Sequence, residues 1–295
     1  MSDPAVSFEP HRRRLRGLAY RMLGSIAEAE DAVQDTYLRW HAADRDSVSD
    51  PRAFLTTTAT RICLDMLKSA RARRESYVGP WLPEPVLDTD ALAPDKQTEL
   101  AEDLSIALLL ALDRLSPLER AAFLLHDVFD CSFDEVAGAL ERSEAACRQL
   151  ASRARAHVRA ARPSALSVAH GRAETANHQQ LVSAFIAAAR SGDLQALMGL
   201  LAGDVRVTTD GGGKVAAALN LIEGADRAAR FTVGAVSKGL PEGSTVRLAE
   251  INGLPGVIIH RPDGSLQTVA FEIVDNLVHS IYSVGNPEKL AHLMR

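Results

Sequence analysis

With 295 residues and 46% hydrophobic side chains, the chain has the material for two or three packed domains. No apolar run approaches the roughly 20 residues of a membrane span, and the arginines at 12, 13, 14 and 16 are not followed by the apolar stretch of a signal peptide. A net charge of −5 is the wrong sign for binding nucleic acid through bulk charge, so such binding would need local basic surfaces and a partner to complete the phosphate contacts.

Cys63, Cys131 and Cys147 lack metal-ligand spacing and fit buried thiols in a reducing cytoplasm. A cytoplasmic protein without metal or cofactor is the expectation. In chain order, Leu15, Leu18, Ala19 and Met22 recur at helical spacing over Phe8–Leu23, and Gly24 stops that helix. Ser25 is a good cap for a second helix, Ile26–His41, with Ala29, Val33, Tyr37 and Trp40 as its apolar stripe. Asp31, Gln34 and Asp35 share another face, since positions three and four apart are neighbours. An acidic face is usually only solvated, but it also suits docking on a basic partner.

Pro51 opens a third helix, running to about Arg74. Its buried side is Phe54, Leu55, Ala59, Ile62, Leu64 and Leu67. The threonines at 56, 57, 58 and 60 are unusual in a helix. Back-bonding to carbonyls is their commoner use, and contact with a nucleic-acid backbone the rarer one. Residues 61–75 carry a local net charge of +3. Ser76–Asp95 holds four prolines and reads as a connector. Residues 84–103 carry a net of −6. Trp81, Leu82 and Pro83 within the connector call for a surface that covers them.

Residues 112–159 read as a helix, a turn, a short helix (Phe133–Leu140), a tight turn at Glu141 and Arg142, and a basic helix capped by Ser143. That is the plan of a helix-turn-helix reader of the major groove. At about 100° per residue, Ala146, Leu150, Ala154 and Val158 form the inward stripe. Arg148, Ser152, Arg155 and Arg159 form the outward one. Residues 140–162 carry a net of +4, and guanidinium forks suit guanine edges and phosphates.

After a second connector, 162–175, the composition changes. A helix over Asn177–Arg190 and a shorter one from Leu194, capped by Asp193, come first. Strand patterns follow at Val205–Thr209, Thr245–Glu250, Gly256–Arg261, Gln267–Val274 and Leu277–Val284. Turns are expected at Pro262-Asp263-Gly264 and Asp275-Asn276. Helices followed by an antiparallel meander predict an α+β cone. Three consecutive glycines, Gly211 to Gly213, permit positive φ and close backbone approach.

The stretches AEDAVQDTYLRW (29–40), DPRAFLTTTATRICLDMLKSARARRE (50–75) and the helix-turn-helix resemble regions 2 and 4 of an extracytoplasmic-function sigma factor, the promoter-recognition subunit of bacterial RNA polymerase. The resemblance covers roughly residues 5–160. WLPEP (81–85), DGGGK (210–214) and NPEKL (286–290) resemble signatures of the subgroup that carries a C-terminal SnoaL/NTF2-like domain. Phe54 stands where the family often has Trp, and Glu288 where it has Asp.

The resemblance implies all-α region 2 (1–75) and region 4 (99–162) domains, linkers at 76–98 and 163–176, and an α+β NTF2/SnoaL-like cone at 177–295. It implies that Asp31, Gln34 and Asp35 bind core polymerase. Arg52, Phe54, Arg61, Lys68 and Arg71 would read the −10 element; Glu144, Arg148, Gln149, Ser152, Arg153 and Arg155 would read the −35 element. Regulation in cis would fall to Trp81, Leu82, Pro83, Asp210, Gly211, Gly212, Gly213, Lys214, Asn286 and Pro287. In such factors the acidic linker is thought to occupy the polymerase channel later used by RNA.

Expected partners are core RNA polymerase and promoter DNA, and no membrane; an unidentified small-molecule or protein ligand at the C-terminal domain is left open. Related cones host enzymes, and Asp210, His260, Glu272 and His279 are the acid–base candidates. Such a pair needs a mutual geometry that spacing does not supply, so no enzyme is expected. The alternative reading is a polymerase-independent, ligand-sensing helix-turn-helix transcription factor.

Overall fold

A computed structural model describes residues 3–87, 92, 104–161 and 172–294, with the side chains of 70–75 and 172–176 excepted. Most of the acidic stretch 84–103 and the start of the second connector therefore lie outside the described residues. The chain divides into two compact units. One comprises residues 1–76 and 89–166, the other residues 77–88 and 167–295.

The first unit is all helical. Helix α1 (Pro4–Leu23) is capped by Asp3, whose carboxylate accepts from the Ala5 N–H, and ends where Gly24 turns left-handed at φ 72°. Ser25 Oγ accepts from the Glu28 N–H and starts α2 (Ile26–Ala42). Pro51 opens α3 (Pro51–Glu75). Phe8, Leu15, Val33, Trp40, Leu55 and Ala59 form the core of this three-helix group. Phe54 lies against Trp40 with ring centroids 5.5 Å apart. Thr58 and Thr60 donate to the carbonyls of Phe54 and Thr56, both at 2.8 Å, which is the back-bonding reading of the threonine run.

Two short helices, α4 (Ile106–Asp113) and α5 (Pro117–Phe123), come next; α5 widens into a π turn over Leu124–Val128. Then α6 (Phe133–Leu140) and α7 (Glu144–Ala161) form the helix-turn-helix. Capping boxes start α5 (Ser116 with Glu119) and α6 (Ser132 with Glu135). Ser143 Oγ accepts from the Ala146 N–H at the head of α7. The buried stripe of α7 is Cys147, Ala151, Ala154 and Val158. The expected stripe was out of phase at its first two positions: Ala146 and Leu150 are only partly covered. All three cysteines are buried, and burial pushes the Cys63 thiol up to about 12.

The helical groups of this unit are joined by buried guanidiniums. Arg14 donates to the Phe129 carbonyl at 2.7 Å, Arg21 to the Leu92 carbonyl at 3.0 Å, and Arg120 to the Met22 carbonyl at 2.5 Å. The Arg14 guanidinium also lies 5.0 Å from the Phe129 ring centroid.

The second unit is α+β. Helix α8 (Arg172–Ser191) begins inside the expected connector, five residues before Asn177. Helix α9 (Leu194–Leu200) leads directly into β1 (Leu201–Asp210). A two-residue strand β2 (Ile222–Glu223) and helix α10 (Ala225–Gly239) follow; neither was expected. Strands β3 (Thr245–Ile251), β4 (Leu254–His260), β5 (Leu266–Val274) and β6 (Leu277–Val284) form an antiparallel meander. A short helix α11 (Pro287–Leu290) comes after β6.

The sheet order is β2-β1-β6-β5-β4-β3, and β1 pairs parallel with β6. The expectation of helices followed by an antiparallel meander is corrected on both counts: α10 interrupts the strands, and β1 enters the sheet in the parallel sense. Positive φ at Asp275 and Asn276 fits the expected hairpin turn. Val182, Phe185, Leu197, Val205, Phe271 and Val278 lie in the core between helices and sheet.

Candidate nucleic-acid interface and linker clamp

Asp31, Gln34 and Asp35 are all exposed on α2, because Ala32, Val33 and Thr36 take the buried side. Of the set expected at the −10 element, Arg52 is exposed and Phe54 is half-buried against Trp40. Lys68 is exposed and pairs with Asp65 at 2.7 Å; that hydrogen bond holds the Asp65 carboxyl below its usual range. The Arg71 side chain lies outside those described. Arg61 is drawn to the end of α6: it donates to the carbonyls of Gly138 at 2.8 Å and Ala139 at 3.2 Å, and pairs with Glu141 at 3.2 Å. A cation at the carbonyl end of a helix is favourably placed.

On α7, Arg148, Gln149 and Ser152 point to solvent. Glu144 pairs with Arg148 one turn on. Arg153 reaches Glu119 at 3.3 Å. Arg155 departs from the expected outward stripe: it is half-buried and donates to Asp127 at 2.6 Å. The exposed face of α7 thus comprises Arg148, Gln149, Ser152 and Arg159, with Arg153 at its side.

In the second unit, residues 77–86 are bound by a built polar site. The Asp210 carboxylate is buried. It accepts from Tyr77 Oη at 2.5 Å, the Leu82 N–H at 2.8 Å and Lys289 Nζ at 2.7 Å. The Lys289 ammonium also donates to the Leu82 carbonyl. It lies 4.4 Å from the Trp81 ring centroid and 4.9 Å from that of Tyr77, which places a cation between two aromatic faces. Asn286 Nδ2 donates to Tyr77 Oη at 2.8 Å. Burial, and then the hydrogen bond to Asp210, raise the Tyr77 hydroxyl above its ordinary pKa.

Leu82 and Pro83 are buried, and Trp81 is partly covered. Further along, Val86 and Asn252 exchange hydrogen bonds of 3.0 and 2.7 Å, and His292 Nε2 lies 2.8 Å from the Pro85 carbonyl oxygen. The glycines have distinct uses. A Cβ on Gly212, at φ +59°, would lie 2.3 Å from Asn286 Nδ2, and one on Gly211 would lie 2.4 Å from the Val215 carbonyl oxygen. Gly213, at φ +71°, lies against Val78. Lys214 pairs with Glu288, next to Pro287 at the head of α11.

Sequence reasoning missed Tyr77, Asn252, Lys289 and His292. Tyr77 and Lys289 lie within or beside the motifs singled out, so their chemistry was available; Asn252 had only the Asn-Gly turn signal. The acid–base candidates do not come together. Asp210 is committed to the linker, His260 is exposed, and none of Asp210, His260, Glu272 or His279 lines the apolar cavity between the sheet and helices α8 and α10. Among the described residues, no cluster of three or more His, Cys, Asp or Glu could hold a metal ion, and no helix is long and apolar enough to cross a membrane.

Residues 8–73 match the sigma-70 region 2 family and residues 105–158 the sigma-70 region 4 family. The chain is 42% identical to the ECF RNA polymerase sigma factor SigJ of Mycobacterium tuberculosis, over 96% of this chain and 91% of that one. It is 36% identical to the probable ECF sigma factor SigI of the same species, over 68% and 67%. The crystal structure of M. tuberculosis SigJ superposes with a TM-score of 0.74, covering 97% of this chain and 98% of that one at 36% identity. The chain belongs to the extracytoplasmic-function sigma factors, which direct RNA polymerase to its promoters.

Proposed function

We propose that this sigma factor binds core RNA polymerase through the exposed face of Asp31, Gln34 and Asp35, and reads promoter DNA with two separate elements. The −10 element falls to Arg52, Phe54, Arg61, Lys68 and Arg71; capturing unstacked bases suits an aromatic–cationic helix edge. The −35 duplex falls to α7, with Glu144, Arg148, Gln149, Ser152, Arg153 and Arg155 as the contact set, Arg155 joining it only once its bond to Asp127 breaks. The region 2 and region 4 domains are taken as 1–75 and 99–162, with linkers at 76–98 and 163–176. The C-terminal domain, 177–295, is read as an NTF2/SnoaL-like cone that tunes the sigma part in cis by holding Trp81, Leu82 and Pro83 through Asp210, Gly211, Gly212, Gly213, Lys214, Asn286 and Pro287.

The observation that carries this reading is that Asp31, Gln34 and Asp35 on α2, and Gln149, Ser152 and Arg159 on α7, are exposed while the opposite stripes of the same two helices make the packing contacts. Arg61 adds a condition: its bonds to the end of α6 must break before it can meet DNA. The test is promoter-directed transcription in vitro with core polymerase. Output should require this protein, and should fall when Asp31 and Asp35 are both changed to Ala. Output that persists when the protein is omitted defeats the reading.

A further inference from the structure

Between the inner face of the sheet and helices α8 and α10 lies a cavity of about 120 Å³. Its walls are mainly apolar: Phe185, Val207, Phe231, Val257, Val269 and Ile281 are representative. The charged residue on its lining is Arg190, which is exposed. The polar side chains largely satisfy one another or the backbone. Gln267 Nε2 donates to Ser283 Oγ at 2.7 Å, and its Oε1 accepts from Arg261. Thr209 Oγ1 accepts from the Ala218 N–H at 2.8 Å. A serine hydroxyl that accepts one bond still has a proton to donate.

These features set the chemistry of an occupant. A carboxylate or ammonium group would lose its hydration without a buried counter-charge to replace it. Water inside would find few partners, whereas an apolar cavity of roughly 150 Å³ stays dry and takes up benzene. We propose that this cavity is a binding site for an uncharged, largely apolar molecule about the size of one six-membered ring, with at most one hydrogen-bonding group, placed to meet Ser283.

The site is mechanically joined to the linker clamp. Thr209 and Ser283 face the cavity, and each is next to a residue that holds or leads to the clamp. Asp210 follows Thr209, and its backbone carbonyl accepts from the N–H groups of Gly285, at 2.8 Å, and Asn286, at 3.1 Å. An occupant that pins β1 and β6 therefore also pins the carboxylate and the amide that hold residues 77–82. The inference concerns the second unit by itself and does not depend on the promoter-reading assignment.

The test uses the full-length protein with p-cresol as probe and benzoate as the charged control. Saturable thermal stabilisation by p-cresol is expected, together with slower amide exchange at Leu82, whose N–H is bonded to Asp210. Benzoate should give neither effect. Ala235→Trp, on an exposed part of the rim, and Val269→Phe, from the sheet side, should each weaken p-cresol binding at least about tenfold; the rim variant leaves the core intact should the second fail to fold. No stabilisation by p-cresol, equal stabilisation by benzoate, or undiminished binding in the rim variant overturns the site. Binding that leaves Leu82 exchange unchanged overturns its link to the clamp.

Discussion

Changing Asp210 to Asn removes one charge and almost no volume. The buried carboxylate now collects three donors: a hydroxyl, a backbone amide and the Lys289 ammonium. The amide of Asn retains one oxygen acceptor and presents two N–H donors to groups that are themselves donors. Lys289, with a side chain 9% exposed, keeps the Leu82 carbonyl but loses its counter-charge. Breaking a buried pair from one side costs about 3–5 kcal/mol. The variant should therefore lose about 3 kcal/mol in urea unfolding of the second unit and roughly 10 °C in Tm.

The linker should loosen at the same time, seen as faster cleavage by protease within residues 77–86 and a shift in Trp81 emission. Pairing the change with Lys289→Met should recover part of the loss, because an uncharged pair of similar volume has no stranded ion. A single variant that loses under about 1 kcal/mol, with Trp81 emission unchanged, would refute the reasoning. So would a double variant as unstable as the sum of the two.

Arg148→Ala should weaken binding of the polymerase complex to a −35 duplex by roughly 1–3 kcal/mol if the guanidinium makes a forked base contact; electrophoretic titration reads it, and an unchanged promoter preference removes Arg148 from the contact set. Gly212→Ala should cost about 1–2 kcal/mol for the left-handed backbone alone, with more from the approach to Asn286, while Gly138→Ala, in open space within α6, should be neutral or slightly stabilising. Tyr77 titrates above its ordinary value of 10.0 when folded, so above that pH the unfolded chain releases a proton that the folded chain retains. Its contribution is fully present below pH 10 and lost as pH rises towards the folded value. The difference in stability between wild type and Tyr77→Phe should accordingly shrink between pH 10 and 11.5 in chemical denaturation; a constant difference would count against the assignment.

The parts legible in the sequence were those written in local code. The caps at Gly24, Ser25 and Ser143 act within four residues, so the end of α1, the start of α2 and the turn into α7 could be read almost to the residue. Strands β3 to β6 could be read because short apolar, β-branched runs are separated by turns carrying Asp, Asn and Gly, with a clear period of two at Val269, Phe271 and Ile273. Helix α10 escaped because Thr232, Val233, Gly234 and Val236 are poor helix formers, and packing against β1 decides its conformation. The phase of α7 was misjudged because Leu150 outweighs Cys147 and Ala151 in hydrophobicity, though the small residues allow the closer approach. In the site, the motifs identified Trp81, Asp210 and Asn286 individually. That Asp210 would bind Tyr77 and Leu82, 133 and 128 positions away, is a property of the fold that no window of sequence contains.

The guanidiniums of Arg14, Arg21 and Arg120, seated on the carbonyls of Phe129, Leu92 and Met22, bear on what parting the first unit would expose. A seam sealed only by oily side chains exposes them to solvent when it parts, and invites aggregation. Here, parting hands cationic groups and carbonyl oxygens back to water, which solvates both readily. Per unit of area, such a seam uncovers less hydrocarbon on parting than one closed by apolar side chains alone.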